Sequence, residues 1–163
     1  MLETLDEIDW SRLTHAYGPA LDVPDLIRTV AHGPKPDAEK AWYDLYGNLW
    51  HQGTIYAATS HAVPFFIELV GDQKRSDAAT ILQYLQDLSE GTSYLDVHRD
   101  GQTLFGKKLS DEELRQVELE LGWVCETRNA VRQGLPIYER LKGSADPEVV
   151  EAANSLVESL SND

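Results

Sequence analysis

The sequence has a single cysteine and a single methionine in 163 residues, and only 14 Lys and Arg against 28 Asp and Glu. A lone thiol, Cys125, forms no internal disulfide, so cross-links do not hold the fold and a reducing compartment suits it. No run of about 18 to 20 apolar residues occurs, and no charged-then-apolar leader opens the chain, so neither a spanning helix nor a secretory signal is expected. The shortage of cations leaves a formal charge of −14, which repels polyphosphate and anionic lipid and attracts basic proteins. Nucleic acid and membrane are therefore not expected as partners, and the expected location is the cytoplasm. The length suits one domain with a substantial core of its own.

Against these absences stands a three-fold echo: Val23-Pro24, Val63-Pro64 and Leu135-Pro136 each open a similar stretch. Counted from each proline, the apolar positions keep register: Ala38, Ala78 and Val150, then Ala41, Ile81 and Ala153, then Leu45, Leu85 and Val157. Those offsets lie on one helical stripe, so each unit reads as two helices whose second member presents an apolar seam. The expected fold is all-α: a short α-solenoid of antiparallel helix pairs with an N-terminal cap and one inserted loop. The chain is one domain, 1–163, with a cap over 1–21, repeats over 22–53, 54–91 and 122–161, and an insertion with an extra helix over 92–121.

Local signals place the elements. A short helix is expected near Trp10 to Ala16. Asp22 reads as the N-cap of a helix carrying Pro24 in its first turn. Gly33-Pro34-Lys35-Pro36 separates this helix from a second over 37–50, which Gly53 terminates in a left-handed conformation. The next helix is expected over about 55–69, with Pro64 kinking it or breaking a turn, and its partner over 76–89. Residues 92–109 lack periodicity. Ser110 and Glu113 form a capping box before one or two helices over 111–142 that contain Pro136, and Asp146-Pro147 opens the last helix. No sustained period-two alternation signals a sheet.

This pattern resembles HEAT-type repeats over roughly residues 22–91 and 122–161. The stretch Trp50-His51-Gln52-Gly53-Thr54-Ile55-Tyr56-Ala57-Ala58-Thr59, followed by Val63-Pro64, looks in particular like bacterial HEAT-repeat proteins. The resemblance implies a curved solenoid lined on one face by the second helices. Some members of the wider class act as immunity proteins against secreted toxins, and others process modified bases or bilin adducts.

The candidate partner-binding residues lie on the outer faces of the second helices. Tyr43, Tyr46 and Trp50 recur at helical spacing away from the Ala38, Ala41, Leu45 stripe. They are either interface anchors or residues covered by the cap with its Trp10 and Tyr17. Gln83, Gln86 and Asp87, then Glu151, Ser155 and Glu158, continue an acidic ridge. His51 reads as a cap on helix carbonyls, with a ligand-contacting corner at His51-Gln52-Gly53-Thr54 as the other reading. No cofactor, metal or catalytic set is expected: the histidines show no i, i+4 pair, Cys125 beside Trp123 and Val124 reads as buried and inert, and no phosphate-cradling loop appears. The insertion, with Tyr94, Leu95, Leu104, Phe105, Arg99, Lys107 and Lys108, is either a recognition loop or a clip over a repeat edge. The preferred expectation is a non-enzymatic module for a basic protein, a toxin in its most concrete form. A HEAT-like enzyme or nucleic-acid-acting domain, and a structural repeat of a larger assembly, are the alternatives.

Overall fold

A computed structural model describes residues 2–72 and 75–162. The chain is mostly helical: among the described residues there are eight α-helices, and every strand is only two residues long. The N-terminal segment makes two 3₁₀ turns, Leu5–Glu7 and Trp10–Arg12, then a hairpin of β1 (Thr14–His15) and β2 (Gly18–Pro19). The expected helix near Trp10 is thus one tight turn, and the chain from Thr14 turns back on itself instead.

Helix α1 (Val23–His32) places Pro24 in its first turn and buries Val23, Ile27 and Val30. Helix α2 (Lys35–Leu49) starts two residues earlier than expected because Pro36 is also tolerated in a first turn. It buries Ala41, Leu45 and Leu49, an i, i+4, i+8 row. Asp22 precedes α1 without capping it: its two carboxylate oxygens meet His15 Nε2 at 2.9 Å and Asn48 Nδ2 at 2.8 Å.

Trp50–His51 and Thr54–Ile55 form the hairpin β3–β4, where a helix end and a helix start were expected. Gln52 and Gly53 both have positive φ, 53° and 86°, the signature of a two-residue type I′ turn. Gly53 therefore has the expected left-handed backbone in a hairpin, not past a helix end. Helix α3 (Thr59–Val70) consequently begins four residues late and runs unbroken through Pro64, whose ring lies on the exposed side. It is apolar on most sides and buries Ala62, Val63, Phe65, Phe66, Leu69 and Val70. Helix α4 (Ala78–Ser89) pairs with it.

The insertion holds a short helix, α5 (Tyr94–His98), capped by the Ser93 hydroxyl, and a three-stranded meander of β5 (Arg99–Asp100), β6 (Thr103–Leu104) and β7 (Lys107–Lys108). The Ser110 capping box then opens α6 (Asp111–Arg132), with Glu113 N–H donating to Ser110 Oγ at 3.2 Å and Ser110 N–H to Glu113 Oε2 at 2.7 Å. The hydrogen bond from the Ser110 amide holds the Glu113 carboxyl below its usual range. Pro136 lies in the first turn of α7 (Leu135–Leu141), after a break at Gln133 and Gly134, so it is not internal to a helix. Asp146 caps α8 (Pro147–Ser161) by accepting from the Glu148 amide at 3.0 Å.

The core is continuous. Helices α1 and α2, α3 and α4, and α7 and α8 pack as pairs; α8 lies on α4, and α6 lies on α3 and α4. The registered positions Ala41, Ile81, Ala153, Leu45, Leu85 and Val157 are all buried on the second helix of a pair, while Ala38 and Val150 are half-buried. Among the described residues no helix is long and apolar enough to cross a membrane.

Candidate functional site

Rings fill the space between α2 and α4. Tyr84 is buried on α4 and donates its hydroxyl to the Leu45 carbonyl of α2 at 2.9 Å. Trp42 donates its indole N–H to Asp77 Oδ2 at 3.1 Å and packs on Phe66 and Tyr84, with centroids 5.5 and 5.7 Å away. Tyr46 stacks on Tyr84 at 4.8 Å, meets Trp50 edge-on at 5.3 Å, and donates its hydroxyl to Asp87. Burial first, then the Asp87 hydrogen bond and charge, push the Tyr46 phenol up to about 12, so it remains a neutral donor at neutral pH. Burial would raise the Asp77 carboxyl, but hydrogen bonds from Arg75 and Trp42, with the Arg75 charge, hold it below its usual range.

Above this aromatic layer α2 forms the floor of a groove of about 630 Å³. The floor follows Tyr43 and Gly47, an i, i+4 pair. One wall is Trp42, Tyr46, Thr80 and Tyr84; the other is Tyr17, Asp44, Asn48 and His51. A Cβ built on Gly47 would meet nothing within 4 Å outside its chain neighbours and its own helix backbone, so a side chain at 47 would enter the groove unopposed. Glycine inside a helix costs roughly 1 kcal/mol against alanine, and no close approach of another atom requires it here.

Two hairpin tips fix the second wall. Tyr17, between β1 and β2, lies edge-on to His51 of β3 at 5.5 Å, with its hydroxyl 3.3 Å from His51 Nδ1. Behind it, the Tyr17 amide donates to His15 Nδ1 at 3.0 Å. That nitrogen is therefore the acceptor, and the ring carries its proton on Nε2, facing Asp22. Asp22 in turn accepts from Asn48 on α2, and the Ala16 amide donates to the Asn48 carbonyl at 2.9 Å. The β3–β4 hairpin is tied down from its far side, with Thr92 N–H donating to the Gly53 carbonyl at 2.8 Å.

A second groove, of about 420 Å³, runs between α4 and α8 and is lined by Tyr46, Gln83, Glu148, Glu151 and Ser155 among others. It shares Tyr46, Thr80 and Tyr84 with the first, so the two form one continuous face across α2, α4 and α8. Among the described residues no Lys or Arg lines either groove.

The expected site residues divide on this face. Tyr43 is 80% exposed and Tyr46 37%, and Trp50 is half-buried against Tyr46. Gln83, Glu151 and Glu158 are exposed, while Asp87 is half-buried beneath Tyr46 with Gln83 Nε2 3.5 Å away. Gln86 is half-buried and donates to Glu90 at 2.9 Å, so it is the ridge member least available to a partner. The cap leaves Tyr43 open: Trp10 is buried within its own segment, donating to the Leu5 carbonyl at 2.9 Å. His51 does not cap helix carbonyls; the Trp50 amide closes α2 and the imidazole meets Tyr17. The residues of the first groove missed in the sequence are Tyr17, Trp42, Asp44, Gly47, Asn48, Thr80 and Tyr84. The i, i+4 step from Tyr43 to Gly47 was the one available signal.

Cys125 is exposed on α6, contrary to its expected burial. The inward row of that helix is Val117, Glu120, Val124, Thr127 and Val131, buried or half-buried at alternating spacings of three and four, and Cys125 falls beside it. Glu120 is buried and accepts from Ser93 Oγ at 2.6 Å and the Leu95 amide at 3.0 Å, which pins α5 to α6. Tyr94 and Phe105 remain exposed on either side of His98. Among the described residues no group of three or more His, Cys, Asp or Glu is disposed to hold a metal ion. No family model matches the chain, and no curated protein or solved structure matches it.

Proposed function

We propose that this protein is a short HEAT-like α-solenoid that acts as a non-enzymatic protein-interaction module, binding a basic protein through the face made by α2, α4 and α8. The reading rests on one observation above the rest: Tyr43, Tyr46 and Tyr84 line grooves whose charged residues, among those described, are Asp44, Glu148 and Glu151, with no Lys or Arg among them. Tyrosine gives a large contact area with few rotors to immobilise, and the surrounding carboxylates steer a cationic partner while disfavouring anions. Three helix pairs carrying buried seams at registered positions support the solenoid. In its most concrete form the module neutralises a basic toxin in the cytoplasm by occluding its active surface, and the free thiol of Cys125 suits that reducing compartment.

The test is to recover the protein that co-purifies with the native chain and map its footprint by amide hydrogen exchange. A partner of net positive charge that protects exposed tips and turns around α2, α4 and α8 supports the proposal. An acidic partner, or protection confined to the 92–109 insertion, overturns it.

A further inference from the structure

We infer that the groove over Gly47 receives an arginine side chain of the basic partner, an inference that rests on the interaction role proposed above. Gly47 lines the groove without a side chain of its own. A Cβ built there would meet no heavy atom within 4 Å outside its chain neighbours and its own helix backbone, so packing against other residues does not require the glycine, and the space over it stays open to an entering side chain.

The lining residues select the chemistry. Tyr17 and Tyr43, 70% and 80% exposed, offer open ring faces, and Tyr46 is fixed in place by Tyr84 and Asp87. A guanidinium is planar and weakly hydrated, so it stacks on such rings at less desolvation cost than an ammonium. Asp44 lines the groove and is held only by an exposed i, i+4 pair with Lys40 at 3.9 Å. Such pairs are weak, and a guanidinium entering the groove presents a fork of donors that matches the carboxylate better. A neutral apolar occupant would instead desolvate Asp44 with no compensation.

The probe is the tripeptide acetyl-Gly-Arg-Gly-amide, titrated into the full chain with the indole N–H signals followed by NMR. Its citrulline counterpart, equal in shape and uncharged, is the control. The Trp42 signal shifts with the arginine peptide and not with citrulline, while Trp123 on α6 stays in place. Asp44→Asn weakens binding by about threefold to tenfold, and Gly47→Leu lowers affinity at least about tenfold. The Gly47→Leu variant keeps or raises its melting temperature, because leucine favours a helix and meets open space, so its loss of binding reflects occlusion. Equal binding of citrulline, or a Trp42 shift that survives Gly47→Leu, overturns the inference. If the arginine peptide leaves Trp42 unmoved while a basic protein still docks on the α2, α4, α8 face, this inference fails and the proposed function stands. If the peptide binds as described and no basic protein does, the proposed function fails and the groove stands as an arginine site.

Discussion

Gly134 stands where α6 ends and α7 begins, with φ −80° and ψ −6°, a conformation open to any residue. If it were present only for flexibility, alanine would stabilise the fold by about 0.4–1 kcal/mol through the unfolded chain. The packing predicts the opposite sign. A Cβ at 134 would lie 2.2 Å from the Tyr138 hydroxyl oxygen and 2.3 Å from Cζ, so the ring must retreat about 1 Å to reach ordinary contact at 3.4 Å. Tyr138 is fully buried and donates to the Val131 carbonyl at 3.0 Å, so it has nowhere to go without breaking that bond. Overpacking costs about 1–3 kcal/mol, and the lost hydrogen bond adds about 1 kcal/mol. Set against the unfolded-chain gain, this leaves a net loss of about 1–3.5 kcal/mol, which lowers the melting temperature of a chain this size by about 2–14 °C. Urea unfolding followed by circular dichroism, run as a double-mutant cycle with Tyr138→Ala, isolates the contact: without the ring, Gly134→Ala becomes neutral or stabilising. Stabilisation by Gly134→Ala in the native background, or an equal loss in both, refutes the close-approach argument.

Three further outcomes follow from the packing and the titrating groups. Leu85→Ala, at a fully buried position of the registered seam, costs about 2–5 kcal/mol in the same assay; a loss below about 1 kcal/mol would remove it from the core. The Asp77 carboxyl is depressed in the folded state, so its contribution is present above its unfolded value of 3.8 and fades as pH falls through the lower folded value. The stability gap between the native chain and Asp77→Asn is therefore constant from about pH 5 to 7 and closes below about pH 4, and a gap that widens on acidification contradicts the ion pair with Arg75. Cys125 reacts with a thiol reagent in the native state without prior unfolding, as its exposure requires; protection until the chain unfolds would place it back in the core.

The helical seams were legible because their signal is redundant. Ala41, Leu45, Ile81, Leu85, Ala153 and Val157 repeat at fixed offsets, and the Ser110 box and the Asp146-Pro147 start are local chemistry that tertiary contacts leave alone. The hairpins were not legible, since two-residue strands are too short to alternate and Gln52-Gly53 looks the same as a helix stop. Asp22 was read as a cap because sequence shows its neighbour α1 but not His15 or Asn48, which claim its carboxylate. Cys125 misled because polar Glu120 and Thr127 occupy the inward row of α6, which hides the true seam and makes a neighbouring position look apolar. The tyrosines of the candidate site were visible at helical spacing. The groove itself was not, since it depends on rings from β1–β2 and α4 that only folding brings alongside α2.

The central claim is that a basic protein docks on the acidic, aromatic face of α2, α4 and α8, and surface-plasmon kinetics with the co-purified partner at two salt concentrations test it most directly. Neutralising the exposed Glu151 and Glu158 to their amides should slow association and flatten its salt dependence, because rim charges act mainly on encounter. Tyr43→Ala and Tyr46→Ala should instead speed dissociation, with a loss of about 2 kcal/mol or more where the ring is an anchor. Unchanged rates in both sets of variants, with helix content and melting temperature preserved, would contradict the claim.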